Sequence, residues 1–222
     1  MCMDFRKCYY KDGSLMDKRL DSKINIFRSA SKRNYNKYKT VCKKEKELLS
    51  GPNLFLLGKD LDEMLSEYYN QEENHRMAFI VFQAMAIEAF LNEYIYVRVG
   101  KLYFNSMDKL SPKDKLLVAC KLITGKDFPR SSRAFELLVK TVKYRNRLVH
   151  YKVKEIDIQK IVDELSKKEK GDFEKEMADL EKDMEDISTT YDKLVETLNS
   201  LDDNFDRKYL VQIPDDFWNT SY

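Results

Sequence analysis

Only ten of the 222 residues are glycine or proline, and they stand as punctuation: Gly13, Gly51 and Pro52, Gly58, Gly100, Pro112, Gly125, Pro129, Gly171 and Pro214. Between these breaks apolar side chains recur at steps of three and four, the period of a helix face, and no run of alternating β-branched residues interrupts them. A chain so patterned is expected to be all-α. Its length suffices to bury a core without covalent help.

Residues 14–49 form a predicted long basic helix whose seam, Leu20, Ile24, Phe27, Tyr38, Val41 and Leu48, is interrupted by Ser31, Asn34 and Glu45. A shorter amphipathic helix is expected over 59–70, then a long one over 72–99, apolar around most of its circumference and so suited to the middle of a bundle. In "SPKDKLLVACKLITG" Ser111 is an N-cap, Pro112 sits at the first helical position and Gly125 is a stop. A further helix is expected from Ser131 to Tyr151. From Phe173, apolar residues fall at Met177, Leu180, Met184, Ile187, Tyr191, Leu194, Leu198, Leu201 and Phe205, a heptad seam that must lie against another helix. The expected organisation is a basic N-terminal helical extension over 1–58, an up-and-down helical bundle over 59–170, and an acidic heptad helix with its tail over 171–222.

The overall charge of +2 hides opposed ends, +8 over residues 1–52 and −9 over 152–222. Two readings follow: a basic arm for a polyanion, or two oppositely charged helices lying against each other as an antiparallel hairpin. Opposite charges favour that hairpin, or a protein partner, over parallel self-pairing of the acidic helix. Cys2, Cys8, Cys42 and Cys120 are scattered without short paired spacing, so no metal site or disulfide framework is expected. The start "MCMDFRKCYY" has no apolar leader segment, and the most apolar stretch carries Gln83, Glu88, Asn92 and Glu93; the expectation is a cytoplasmic protein with no membrane partner.

The stretch "KYRNRLVHYK", Lys143–Lys152, holds one of the two histidines together with an Arg-Asn pair. Asn and His are not there to improve helix propensity. With the upstream "AIEAFLNEYI" and "SPKDKLLVACKLITGKDF", a helix ending "RNRLVH" resembles the HEPN superfamily (higher eukaryotes and prokaryotes nucleotide-binding) over about residues 72–152. The resemblance implies a bundle that forms a homodimer through its motif helices and, in catalytic members, a metal-independent endoribonuclease acting on RNA without a cofactor, in a toxin or phage-defence setting. Arg145, Asn146 and His150 occupy the motif positions. In the toxin subfamily silenced by nucleotidylation, a tyrosine stands two residues after the histidine; here Tyr151 is one residue after it and Lys152 takes the second place. That difference weighs against an antitoxin of the nucleotidyltransferase kind.

RNA carries its own nucleophile, the 2′-hydroxyl, so cleavage needs a base, an acid and positive charge about the phosphorane. His150 suits the proton transfers. Arg145 can grip phosphate oxygens as a bidentate fork, and Asn146 can orient substrate or fix the imidazole tautomer. Glu88 and Asn92, four apart on the central apolar helix, form a second polar pair that either hydrogen-bonds within the bundle or, through Glu88, orients Arg145. Lys143, Arg147 and Lys152 are candidate phosphate contacts or cations that offset the helix dipole, and Tyr144 and Tyr151 are candidate stacking surfaces for bases or packing residues of the core or an interface. His75 is expected to be a solvated residue in the first turn of its helix. On a regular helix residues five apart diverge by about 140°, so Arg145 and His150 can share one phosphate only if the helix unwinds near His150 or two copies build a composite pocket. The alternative function is a HEPN-like binding or dimerisation module without turnover, docking a partner protein or nucleotide.

Overall fold

The computed structural model describes residues 22–50, 58–150 and 170–210, and among them every regular element is helical. Five helices form an up-and-down bundle: α1 (Ile24–Ser50), α2 (Gly58–Met107), α3 (Pro112–Thr124), α4 (Arg133–Val149) and α5 (Lys170–Leu201), followed by a 3-10 turn at Arg207–Leu210. Residues 14–21 of the expected first helix lie outside the described residues.

α2 is the axis. Its apolar stretch is by length and composition sufficient to cross a membrane, yet more than half of it is buried inside the bundle, the position expected of a core helix. The break expected near residue 71 does not occur. Nothing between Ser66 and Asn74 lacks a backbone donor or helical freedom, and Gln71 donates to Glu67 across one turn at 2.9 Å. The chain leaves its helical course at Gly100 instead, where φ is 83° and ψ 174°. The rings of Tyr96 and Phe104 lie 5.8 Å apart, whereas eight residues of straight helix would separate them by about 12 Å. The segment after Gly100 therefore folds back on α2, and Met107 closes over Ile95 and Ala119.

α3 starts and stops as its sequence dictates. Ser111 caps the amide of Asp114, and Gly125, at φ 72°, returns its N–H to the carbonyl of Lys121. α4 begins two residues later than expected, at Arg133, with Ser132 as its N-cap accepting from the amide of Phe135. One buried cluster draws on all five helices, with Ile24, Phe90, Leu91, Leu116, Leu138 and Leu194 at its centre. Each such side chain contributes about 1.5–3 kcal/mol by leaving water.

The heptad seam packs within its own chain. Met184, Ile187, Tyr191, Leu194 and Leu198 are all buried, while Met177, near the free end of α5, is exposed. The principal partner is α4, not the basic α1 that overall charge suggested. Lys140 bridges Asp183 and Asp186 at 2.6 and 2.7 Å, Arg133 reaches Asp186, and the buried hydroxyls of Thr141 and Thr190 meet at 2.9 Å. α1 meets α5 through the ion pairs Arg28–Asp192 (3.1 Å) and Lys46–Glu181 (2.5 Å). The interruptions in the seam of α1 are its polar contacts: Ser31 donates to Gln83 at 2.8 Å, and Gln83 donates to the carbonyl of Ile187 at 3.0 Å, tying three helices together. Past α5, the buried Asp202 accepts from Tyr94 (2.9 Å) and Arg98 (3.0 Å), which fixes the closing turn against α2.

Candidate functional site

α4 is amphipathic, turning Ala134, Leu137, Leu138 and Thr141 into the core. Its last two turns therefore hold their polar flank at the surface, against Glu88 of α2 and the start of α3. A cleft of about 260 Å³ lies there, lined by Arg145, Asn146 and His150 from α4, Glu88 and Ile87 from α2, and Ser111 and Pro112 from the cap of α3.

The geometric conflict between Arg145 and His150 is relieved within one chain. The helix ends at Val149. His150 still closes the last turn, its N–H donating to the carbonyl of Asn146 at 3.0 Å, but its own φ of −110° and ψ of 43° leave the helical region. His150 borders the same cleft as Arg145, five residues earlier. Arg145 is held from two sides: Nη1 donates to Asn146 Oδ1 at 3.0 Å, and Nη2 lies 3.9 Å from Glu88 Oε1. The second distance is an ion pair at the edge of contact, with both side chains about a third exposed. The guanidinium thus keeps donors available to a ligand. Asn92, one turn beyond Glu88, takes a different role and accepts from the buried Lys115 at 2.7 Å.

The other sequence candidates divide. Lys143 and Arg147 are exposed but neither lines the cleft, and the Arg147 guanidinium stands 5.8 Å from the Tyr144 ring centre. Tyr144 is not brought into the cleft: its hydroxyl donates to Asp183 of α5 at 2.5 Å, and burial, reinforced by that carboxylate, pushes its pKa up to about 12. Tyr151 and Lys152 lie outside the described residues. His75 stands inside α2 because the helix begins at Gly58; it is half-buried, Nδ1 lies 3.2 Å from Asn34 Oδ1, and burial lowers its pKa. Cys42 and Cys120 are buried free thiols, and burial pushes Cys42 up to about 11. Among the described residues no group of three or more metal-ligating side chains comes together.

Two features of the site were not singled out from sequence. Ser111 and Pro112 border the cleft as well as starting α3. The ladder of Arg133, Lys140 and Tyr144 against Asp183 and Asp186 fixes α4 just before the motif. Steps of seven and four along one face of α4 were the available signal for the second.

Fold and site together define an all-α helical bundle with an Arg–Asn–His cleft at the C-terminal end of one helix. No family model, curated protein or solved structure matches this chain.

Proposed function

We propose that the chain is a HEPN-type endoribonuclease that cleaves RNA by attack of its own 2′-hydroxyl, in a toxin or phage-defence role. The observation that carries the reading is the convergence of Arg145, Asn146 and His150 on one solvent-open cleft with Glu88 behind the guanidinium. In the proposed reaction the imidazole of His150 takes the 2′-hydroxyl proton as O2′ bonds to phosphorus. The P–O5′ bond breaks, O5′ takes a proton, and the products are a 2′,3′-cyclic phosphate and a 5′-hydroxyl. Arg145 stabilises the doubly charged phosphorane, and Asn146 with Glu88 keeps the fork aimed. One chain brings one histidine to the cleft; a homodimer through α4 would supply the second as the acid.

The test is cleavage of structured and unstructured RNA with a chelator present, comparing wild type with His150→Ala and Arg145→Ala. Activity lost in both variants supports the proposal; activity that survives His150→Ala, or that requires a divalent ion, overturns it. One observation favours the non-catalytic module as the second reading: Arg145 already has two partners within its own chain. RNA or nucleotide bound without turnover, and released by Arg145→Ala, would establish it.

A further inference from the structure

Of the nine exposed residues from Lys32 to Lys46 of α1, seven are lysine or arginine and the other two are Asn36 and Thr40, so no carboxylate stands among them. These cations divide by flank. Lys32, Lys39, Lys43 and Lys46 line the grooves between α1 and α5, where Asp192, Glu181 and Glu185 offset their charge. Lys46 pairs with Glu181 there, and Lys43 lies 3.7 Å from Glu47 of its own helix. Arg33, Lys37 and Lys44 line neither groove. At steps of four and seven they fall within about 40° of one line along α1, about 16 Å from first to last. None of the three forms an ion pair with a carboxylate among the described residues. Where α2 approaches Lys37 it presents His75, hydrogen-bonded to Asn34, and burial followed by the Lys37 charge keeps that imidazole from protonating.

Exposed cations in a row, without counter-charge beside them, raise the local potential and attract a chain of negative charges. An anionic membrane fits this face poorly. A helix that lies on a bilayer buries its apolar side there, whereas α1 turns Ile24, Tyr38 and Val41 into the bundle.

We propose that the stripe of Arg33, Lys37 and Lys44 binds the phosphate backbone of RNA, holding it by charge without reading its sequence. The choice of RNA rests on the ribonuclease reading, but the stripe shares no residue with the cleft, so the two can fail separately. Fluorescence anisotropy with a labelled single-stranded RNA, on the full chain carrying His150→Ala so that the RNA is not cut, tests it over a series of salt concentrations. Binding should be saturable. Arg33→Gln, Lys37→Gln and Lys44→Gln together should weaken it at least about tenfold and reduce the salt slope by about 2, as three lost contacts to a single strand require. A matched control, Lys101→Gln, Lys109→Gln and Lys175→Gln together, removes the same charge from other exposed positions and should change affinity less than about twofold. All six side chains are exposed, so both triple variants are expected to fold, which circular dichroism checks. The proposal is overturned by the absence of saturable RNA binding, or by equal losses in the two triple variants, which would make overall charge the cause. Phosphatidylserine vesicles captured through the stripe by a chain that leaves RNA unbound would overturn it too. RNA cut to cyclic phosphate ends by wild type, with binding undiminished in the stripe variant, would sink the stripe alone. Stripe-dependent binding by a chain that cuts nothing would sink the ribonuclease reading alone.

Discussion

Asp202 is a buried carboxylate that ties the closing turn to α2, and the cost of its replacement by alanine follows from its contacts. The carboxylate is 4 % exposed and accepts from Tyr94, Arg98 and the amide of Asn204. Removing it strands the buried Tyr94 hydroxyl, at a cost of about 1–3 kcal/mol. Arg98 keeps its bond to the Asn204 carbonyl at 2.7 Å and about a quarter of its exposure, so its loss is smaller, about 1 kcal/mol. The Asn204 amide can turn to water. The sum is about 3 kcal/mol. With a urea slope of about 2 kcal/mol/M, the unfolding midpoint should fall by about 1.5 M. Chemical denaturation followed by circular dichroism measures it, and Tyr94→Phe in both backgrounds completes a double-mutant cycle. A midpoint shift under about 0.5 M, or a Tyr94→Phe effect as large without Asp202 as with it, would refute the claim that this carboxylate closes the bundle.

Other perturbations probe the remaining elements. Leu194→Ala should cost about 2–5 kcal/mol and Met177→Ala less than about 0.5 kcal/mol, because the first side chain is fully buried and the second 44 % exposed; comparable losses in urea melts would mean that α5 packs in another register. Gly100→Ala should cost about 1–3 kcal/mol through backbone strain alone, since an added Cβ meets nothing within 4 Å while φ is +83°; a neutral result by scanning calorimetry would contradict the sharp turn there. Burial alone would raise Asp183 and Asp186, but hydrogen bonds from Lys140, with Tyr144 and Arg133, outweigh it and hold both below the usual carboxylate range. Their contribution is therefore complete above the unfolded carboxylate pKa of about 4 and is lost as pH falls through the lower folded values. Lys140→Met should flatten that acid limb in pH-dependent denaturation; an unchanged limb would place the titrating groups elsewhere.

The caps at Ser111 and Gly125, the helix carrying the motif and the heptad register were legible because local chemistry decides them. What a helix packs against is decided by pairs far apart in sequence, which overall charge blurs: the middle segment is only mildly basic, yet Arg133 and Lys140 concentrate that charge on the face of α4 that meets Asp183 and Asp186. Ser31 reads as a gap in an apolar seam until Gln83 is opposite it. The same holds in the cleft. Helical spacing sets Arg145 and His150 apart, yet both border one cavity, because it is lined by a whole stripe of α4 that includes Leu138, Thr141, Val142 and Asn146. Glu88 was legible as a polar residue on an apolar helix and as a partner for Arg145, but the partner of Asn92, Lys115, depends on where α3 crosses α2.

The central functional claim is that His150 and Arg145 act on one phosphate with the RNA's own 2′-hydroxyl as nucleophile, and the chemistry of the cut end tests it most directly. Mass spectrometry of RNA fragments produced with a chelator present should show 2′,3′-cyclic phosphate and 5′-hydroxyl termini for wild type and no fragments above background for His150→Ala. Fragments ending in a 3′-hydroxyl and a 5′-phosphate, or cyclic ends made equally well without the imidazole, would contradict it.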